Sequence, residues 1–524
     1  MLPPSVTLVK NKYWVFLISF AIVLMVLGAI ATSRYGAGVT SDSVKYMAVA
    51  QNLLDGNGLY DHRGWPLLAW PPLYSMILAG LAWLTSMDVF IAGWYLNILL
   101  LGVNLVLSGI IFRRVFADQP SYAYLASLFV FLSLSSLRNH ATLGSDAPYL
   151  TMTLAFLLAV DDYIRKRSYW AFTWMMLLST LAPLLRYVGM AFTVTALLVI
   201  LIEQRKSMRV LWRDGPTLGF LSALPILWWL VIHNIMGYGS LWGGYDDPGL
   251  VDVRQNIELA LTKMLHWFVP YLSFLMLLLT RPFLVLGFLA LILALINFRS
   301  SKNWLAWSRS LLQPTSYPSM IYSLVYFLAV AFTIITSDHR YLYSDRYYFI
   351  LLVPTMIFVF ITFDSLVRHH LKFTATQINN ALVVVFLLWT VYPIYGLREY
   401  LQQAVARGEP SDYNLFNTRA YHEMNVVPQM QKLRQAAPDA LMYSNYVDAV
   451  WFYTRKPALL SPVRGAPDLK KAYAGWPYDK PGYLVWFKPN EYKHYLSPQE
   501  LSQFSELKLI YSDPSGDIYY VSAR

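Results

Sequence analysis

The chain has 524 residues, 57% of them apolar and 14% charged, with a formal net charge of +11 and no cysteine. Apolar runs of about 18–22 residues recur along it, which excludes an ordinary soluble domain and reads as a polytopic α-helical membrane protein. The lack of cysteine excludes disulfides, thiol catalysis and Cys-ligated zinc or iron–sulfur sites, and the positive charge sits mainly in short loops, where it reports orientation in a bilayer and not a nucleic-acid partner.

The first run, Tyr13 to Thr32, follows Lys10 and Lys12 and has no small-residue cleavage site after it, so it reads as a retained span with the N-terminus in the cytoplasm. Trp65 to Ser86 is apolar enough to enter the membrane, but counting it as a crossing would invert every later loop. It is expected to be a re-entrant or interfacial helix begun by Pro71 and Pro72. Further spans are expected at 89–112, 121–137, 147–164, 216–236, 280–298, 318–336, 347–364 and 378–396. The apolar stretch from Ser168 to Glu203 is too short for two crossings of about 20 residues each, so a pair of short helices should meet at LAPLLRYVG. With that hairpin the expected total is about 11 transmembrane helices.

Basic clusters mark alternate connections: Arg113/Arg114, Arg165/Lys166/Arg167, Arg205/Lys206/Arg209/Arg213, Arg299/Lys302/Arg309 and Arg368/Lys372. The positive-inside rule assigns them to the cytoplasm. The remaining connections, 33–88, 138–146, 237–279 and 337–346, then face outward, with the chain after Leu397. Residues 1–397 form the expected membrane domain. Residues 398–524 are polar and tyrosine-rich and should build a small extracytoplasmic α/β domain, with helices at Tyr421–Gln435 and Ser497–Phe504 and strands at Ala440–Ser444, Tyr483–Phe487, Leu507–Tyr511 and Ile518–Val521. The aromatic share of 16% is crowded at the ends of the runs, as in interfacial belts. No Asn-x-Ser/Thr acceptor occurs, which favours a multi-pass protein of a prokaryotic cell membrane.

Four outward features carry possible chemistry. In AGVTSDSVKYMAVAQNLLDGNGL, Tyr46, Val49, Ala50 and Leu53 make a helical stripe, Thr40 or Ser41 is an N-cap and Gly56 a stop. Asp42 therefore sits in a first helical turn, where it either complements the helix dipole or serves as a base. RNHATLGSDAPYL sets Asp146 at the mouth of the third and fourth spans, as a cap or as a second site carboxylate. Arg186 in the hairpin is costly at membrane depth unless it meets an anion, either a neighbouring acid or a ligand. SDHRYLYSDRYYF brings Arg340 and Arg346 beside tyrosines, as an interfacial belt or as anion ligands. Together they suit a substrate with an apolar tail and an anionic head.

The same stretches resemble the GT-C glycosyltransferases, in particular the group of dolichyl-phosphate-mannose protein mannosyltransferases and aminoarabinose transferases. Asp42 and Tyr46 keep the spacing of that group's D-E-x-x-Y element, and AWPPLYSMILAGL, with Tyr74, is similar to its Pro-Pro-Leu-Tyr segment. GSDAPYL resembles its second-loop acid, LLRYVGM, with Tyr187, its Thr-Arg-x-x-Gly hairpin, and SDRYYF, with Tyr347, its late Arg-Tyr element. Ser43 replaces the second acid of the first element, and Trp70 stands where a lysine often precedes the prolines. The resemblance implies inverting transfer of a sugar from a polyprenyl-phosphate carrier to a lipid, glycan or protein acceptor outside the membrane. Asp42 would be the base, Asp146 would orient the substrates, and Arg186, Arg346 and Arg340 would hold the phosphate. Tyr46, Tyr74, Tyr187 and Tyr347 would line the cavity, with no metal or other cofactor required if arginines neutralise the phosphate, although an unpaired acid near Asp42 would leave room for a divalent metal. The rival class is a transporter or flippase of a lipid-linked or anionic substrate, disfavoured by acids clustered at one rim and by the lack of an internal repeat.

Overall fold

The computed structural model describes residues 4–241, 307–336 and 345–523, apart from short stretches within them, and residues 263, 264 and 267. The expected span at 280–298 and residue Arg340 lie outside the described residues.

The apolar runs form long helices. Helix α1 is Pro4–Ala31, and α2, Ser41–Leu54, begins at a Thr40 cap whose side chain accepts from the Ser43 amide while Ser43 bonds back to the Thr40 amide. Helix α3, Leu73–Thr85, follows Pro71 and Pro72 as expected. Its 13 residues span only about 20 Å at 1.5 Å per residue, short of a bilayer core of about 30 Å. Helix α4, Val89–Val115, packs against α1, where Tyr13 donates to the Gly109 carbonyl at 2.8 Å. A Cβ at Gly109 would fall 2.4 Å from the end of the Leu17 side chain, which would have to move aside.

The third expected span is two helices, α5, Pro120–Phe131, and α6, Leu134–His140, bent by 50°. The break falls at Ser133, whose extended backbone restarts the helix, a short-range capping signal hidden inside an apolar run. Then come α7, Asp146–Lys166, α8, Tyr169–Leu185, α9, Met190–Gln204, and α10, Met208–Leu227, which continues as a widened helix to Met236. The second arm of the hairpin corrects the sequence expectation: with the turn before it, Tyr187–Gln204 is 18 residues long and apolar enough to cross. Helix α11 is Tyr317–Thr336, α12 is Leu352–His370 and α13 is Ala375–Arg407. At 33 residues α13 outruns the expected span, so the composition change at Leu397 falls inside a continuous helix.

Among the described residues, five helices are long and apolar enough to cross a membrane, or six if the bent pair is one span. The chain is thus a multi-pass membrane protein by the character of its helices, while the figure of about 11 is not established by them.

After α13, helices α14, Val426–Ala436, and α15, Val447–Thr454, accompany a five-stranded sheet of order β2-β1-β3-β5-β4. The strands are β1, Leu441–Ser444, β2, Leu459–Leu460, β3, Gly482–Phe487, β4, Ser505–Asp513, and β5, Gly516–Ala523. β1 pairs in parallel with β2 and β3, whereas β3, β5 and β4 are antiparallel. Alternation along β3 serves both faces: Leu484 and Trp486 join a cluster with Tyr443, Trp476 and Val521, while Val485 and Phe487 belong to the main core. The four longer strands overlap the four expected ones. β2 and α15 were not anticipated, being short and without strong periodicity.

Candidate active site

Two loops, far apart in sequence, are stapled at one end of the bundle. The Gly38 amide donates to the Ala141 carbonyl at 2.8 Å, and the Leu143 amide returns a bond to the Gly38 carbonyl at 2.9 Å. Ser43, at the position where an acid was expected from the resemblance, instead donates its hydroxyl to the Leu143 carbonyl. These bonds bring the start of α2, carrying Asp42, against the start of α7, carrying Asp146. The C-terminal region locks the same loop: the Asn414 side chain accepts from the Val39 amide at 2.9 Å, and Asn417 donates to the carbonyls of Tyr35 and Ala37 at 2.7 and 2.8 Å.

Arg186 enters from the α8–α9 turn. Its backbone is extended, and a Cβ at Gly189 would lie 2.2 Å from the Ala182 carbonyl carbon, so the tight turn requires glycine there. The guanidinium pairs with the Asp146 carboxylate and donates to Ser145 Oγ at 3.4 Å. Arg346 bridges both acids, with Nη2 2.9 Å from Asp42 Oδ2 and Nε 3.5 Å from Asp146 Oδ2. A cleft lined by Thr40, Asp42, Tyr46, Asn139, Thr142, Leu143, Gly144, Asp146 and Arg346 opens onto this cluster. Burial works to raise the Asp42 carboxyl, but the charges of Arg346 and Lys45 outweigh it and hold the group below the usual carboxylate value.

The predicted residues divide clearly. Asp42, Asp146, Arg186, Arg346 and Tyr46 converge, Tyr46 lying 3.3 Å from Ser145 Oγ. The Tyr347 ring faces both guanidiniums, 6.0 Å from Arg186 and 5.4 Å from Arg346. Tyr74 is buried behind Tyr46, with ring centroids 4.9 Å apart. Tyr187 is a brace: it donates to the Leu68 carbonyl at 2.9 Å and accepts from Trp229 at 3.2 Å, tying the hairpin to the loop before α3. Among the described residues no three His, Asp or Glu side chains group as metal ligands.

Sequence reasoning missed Lys45 and the pair beside it. The Lys45 ammonium lies 3.9 Å from the Trp70 ring centroid, and nearby His62 Nε2 is 2.7 Å from Asp448 Oδ1 of α15. Lys45 could have been found as the cation one turn beyond Asp42. Asp448 carried no sequence signal.

No protein-family model and no curated protein matches the sequence. Solved structures do. ArnT from Cupriavidus metallidurans in the apo state matches with a TM-score of 0.60 at 14% identity, over 98% of this chain and 98% of that one. ArnT bound to undecaprenyl phosphate matches at 0.58 and 14% identity, over 97% and 98%. The apo oligosaccharyltransferase of Archaeoglobus fulgidus matches at 0.50 and 12% identity, over 98% of this chain and 75% of that one. The chain has the GT-C glycosyltransferase fold. At such identities the likeness is one of fold, and what the cleft does must be argued from its own residues.

Proposed function

We propose that the chain is a membrane glycosyltransferase that moves a sugar from a polyprenyl-phosphate carrier to a lipid, glycan or protein acceptor on the outer face, with inversion. The single observation that carries the reading is the convergence of two carboxylates and two largely buried guanidiniums from four separated segments on one cleft. Undecaprenyl phosphate in the structurally similar ArnT supports a carrier of that class. Asp42 takes the acceptor's proton as its oxygen or nitrogen attacks the anomeric carbon, the bond to the phosphate oxygen breaks, and Arg186 and Arg346 stabilise the departing phosphate.

The arrangement couples donor binding to base strength. With the cleft empty of donor, Arg346 holds Asp42 ionised but weakly basic. A donor phosphate competes for that guanidinium, loosens its hold on Asp42 and raises the carboxylate's proton affinity when an acceptor can use it. Asp146 keeps Arg186 aimed at the same point. In this reading the first outer loop, the cleft and the C-terminal region face outward and the basic clusters face the cytoplasm, as the charge distribution along the sequence requires.

The test is transfer by the purified full-length protein in lipid nanodiscs, offered a panel of undecaprenyl-phosphate sugars and envelope acceptors, with the product's anomeric configuration read by NMR. Transfer with inversion supports the reading. Retained configuration would exclude a single displacement with Asp42 as base, and transport of the intact donor without transfer would favour a flippase.

A further inference from the structure

The four charged groups of the cleft are already matched, two carboxylates against two guanidiniums. A donor phosphodiester brings one negative charge, and as the sugar leaves it becomes a monoester with about −1.5 to −2 charge at neutral pH. The growing charge needs a cation that the acids have not engaged.

Lys45 fits that need. It lies three residues beyond Asp42 in α2, so the two side chains leave adjacent faces of one helical turn. Its ammonium rests on the Trp70 ring, at the residue preceding the prolines that open α3. Among the described residues no carboxylate or carbonyl lies in ion-pair or hydrogen-bond contact with it. Burial pushes the ammonium below the usual lysine value, opposed by the charges of Asp42 and then Asp448. A half-buried ammonium held by an aromatic face and by charges at a distance keeps its donors available.

We propose that Lys45 is a phosphate-binding residue of this cleft, contacting the non-bridging oxygens of the polyprenyl phosphate and strengthening that contact as the leaving group gains charge. The proposal rests on the glycosyltransferase reading above. It also gives Trp70 a role: the indole seats the ammonium beside Asp42, within reach of its charge. Asp448, from the C-terminal region, backs the lysine through its charge while paired with His62.

The experiment measures binding of undecaprenyl phosphate and of undecaprenol to the full-length protein in nanodiscs by native mass spectrometry. Wild type should prefer the phosphate. Lys45→Met should lose about tenfold or more of that preference, the size of one charge-assisted hydrogen bond, and Lys45→Gln should do the same with the side chain's length kept. Lys45→Arg should retain most of it. Trp70→Lys added to Lys45→Met returns an ammonium to the same volume from α3 and should restore binding to within about threefold of wild type. Unchanged phosphate preference in both neutral variants, each with a wild-type thermal midpoint, would overturn the proposal while leaving the enzyme reading intact. No preference for phosphate over alcohol in wild type would overturn the donor reading itself.

Discussion

Helix α7 carries ion pairs at both ends, and the two ends are built differently. At the Lys166 end, Arg114 of α4 donates to Asp161 and Asp162 at 2.8 and 2.9 Å, while Arg165 and Lys166 reach back one turn to the same acids at 2.6 and 3.0 Å. The partners lie on one helix or its neighbour, and the cations are 32–62% exposed. At the Asp146 end the four groups come from α2, α7, the α8–α9 turn and the segment before α12, and the guanidiniums are only 14% and 18% exposed. Local pairs whose cations stay in water, even where one acid, Asp161, is only 5% exposed, form wherever helix geometry allows and contribute little each. Buried pairs from distant segments lose solvation, so the rest of the fold must hold them in place, and a ligand that replaces one partner finds a prepared site.

The sharpest way to break this contrast is to neutralise one acid at each end. Asp42→Asn keeps the shape of the α2 start and removes its basicity, so transfer should fall by about 10²-fold or more, with thermal stability near wild type. Asp161→Asn should leave the rate per folded molecule within about threefold of wild type. If the two variants lose activity equally, the Asp146 end is only another structural ion cluster and Asp42 a helix-dipole residue.

Next in size is Arg186→Ala. It deletes a charge-assisted contact and leaves Asp146 to Arg346 alone. Donor KM should rise by about 10- to 100-fold, as expected for a hydrogen bond between charged groups worth about 1.5–3 kcal/mol. A variant that instead fails to insert, with normal donor affinity in the folded fraction, would make Arg186 a structural partner of Asp146.

Much of the Asp146 end was legible in the sequence because its elements are short-range. The Thr40 cap, the apolar stripe through Tyr46, the prolines before α3 and the arginine beside Gly189 each announce a local conformation, and an arginine at membrane depth announces a need for an anion. What was not legible depends on tertiary assembly. Nothing in one sequence says that Gly38 pairs with the Ala141–Leu143 segment, that Lys45 lies on Trp70, or that Asp448 comes back some four hundred residues later to meet His62. The bend at Ser133 and the length of α13 escaped for another reason: apolar content marks what can enter a bilayer, and caps decide where a helix stops.

At the other end of α7, Arg114→Ala should leave donor KM and transfer rate unchanged and lower stability by about 0–1 kcal/mol, the usual range for partly exposed pairs. It is read as a small drop in thermal midpoint in detergent. A loss of activity without a loss of stability would mean that the two ends communicate through α7.

The smallest effect sharpens the comparison at the junction with the C-terminal region. Burial raises the Asp448 carboxyl, but the His62 contact, Ser41 and the charge of Lys45 together hold it below the usual value. A carboxyl depressed in the folded state adds stability that is full above its unfolded value, near pH 4, and is lost as the pH falls through the native value. Contact between α15 and α2 should therefore hold from neutral pH down to about pH 4 and loosen below that. Hydrogen exchange in Val447–Thr454 should accelerate there beyond the intrinsic rate, and Asp448→Asn should flatten the pH dependence and show weaker protection already at neutral pH. If the segment opens with the same pH profile in wild type and Asp448→Asn, the C-terminal region is held by its other contacts, the Asn414 and Asn417 bonds among them, and the charge of Asp448 has no part in setting the cleft.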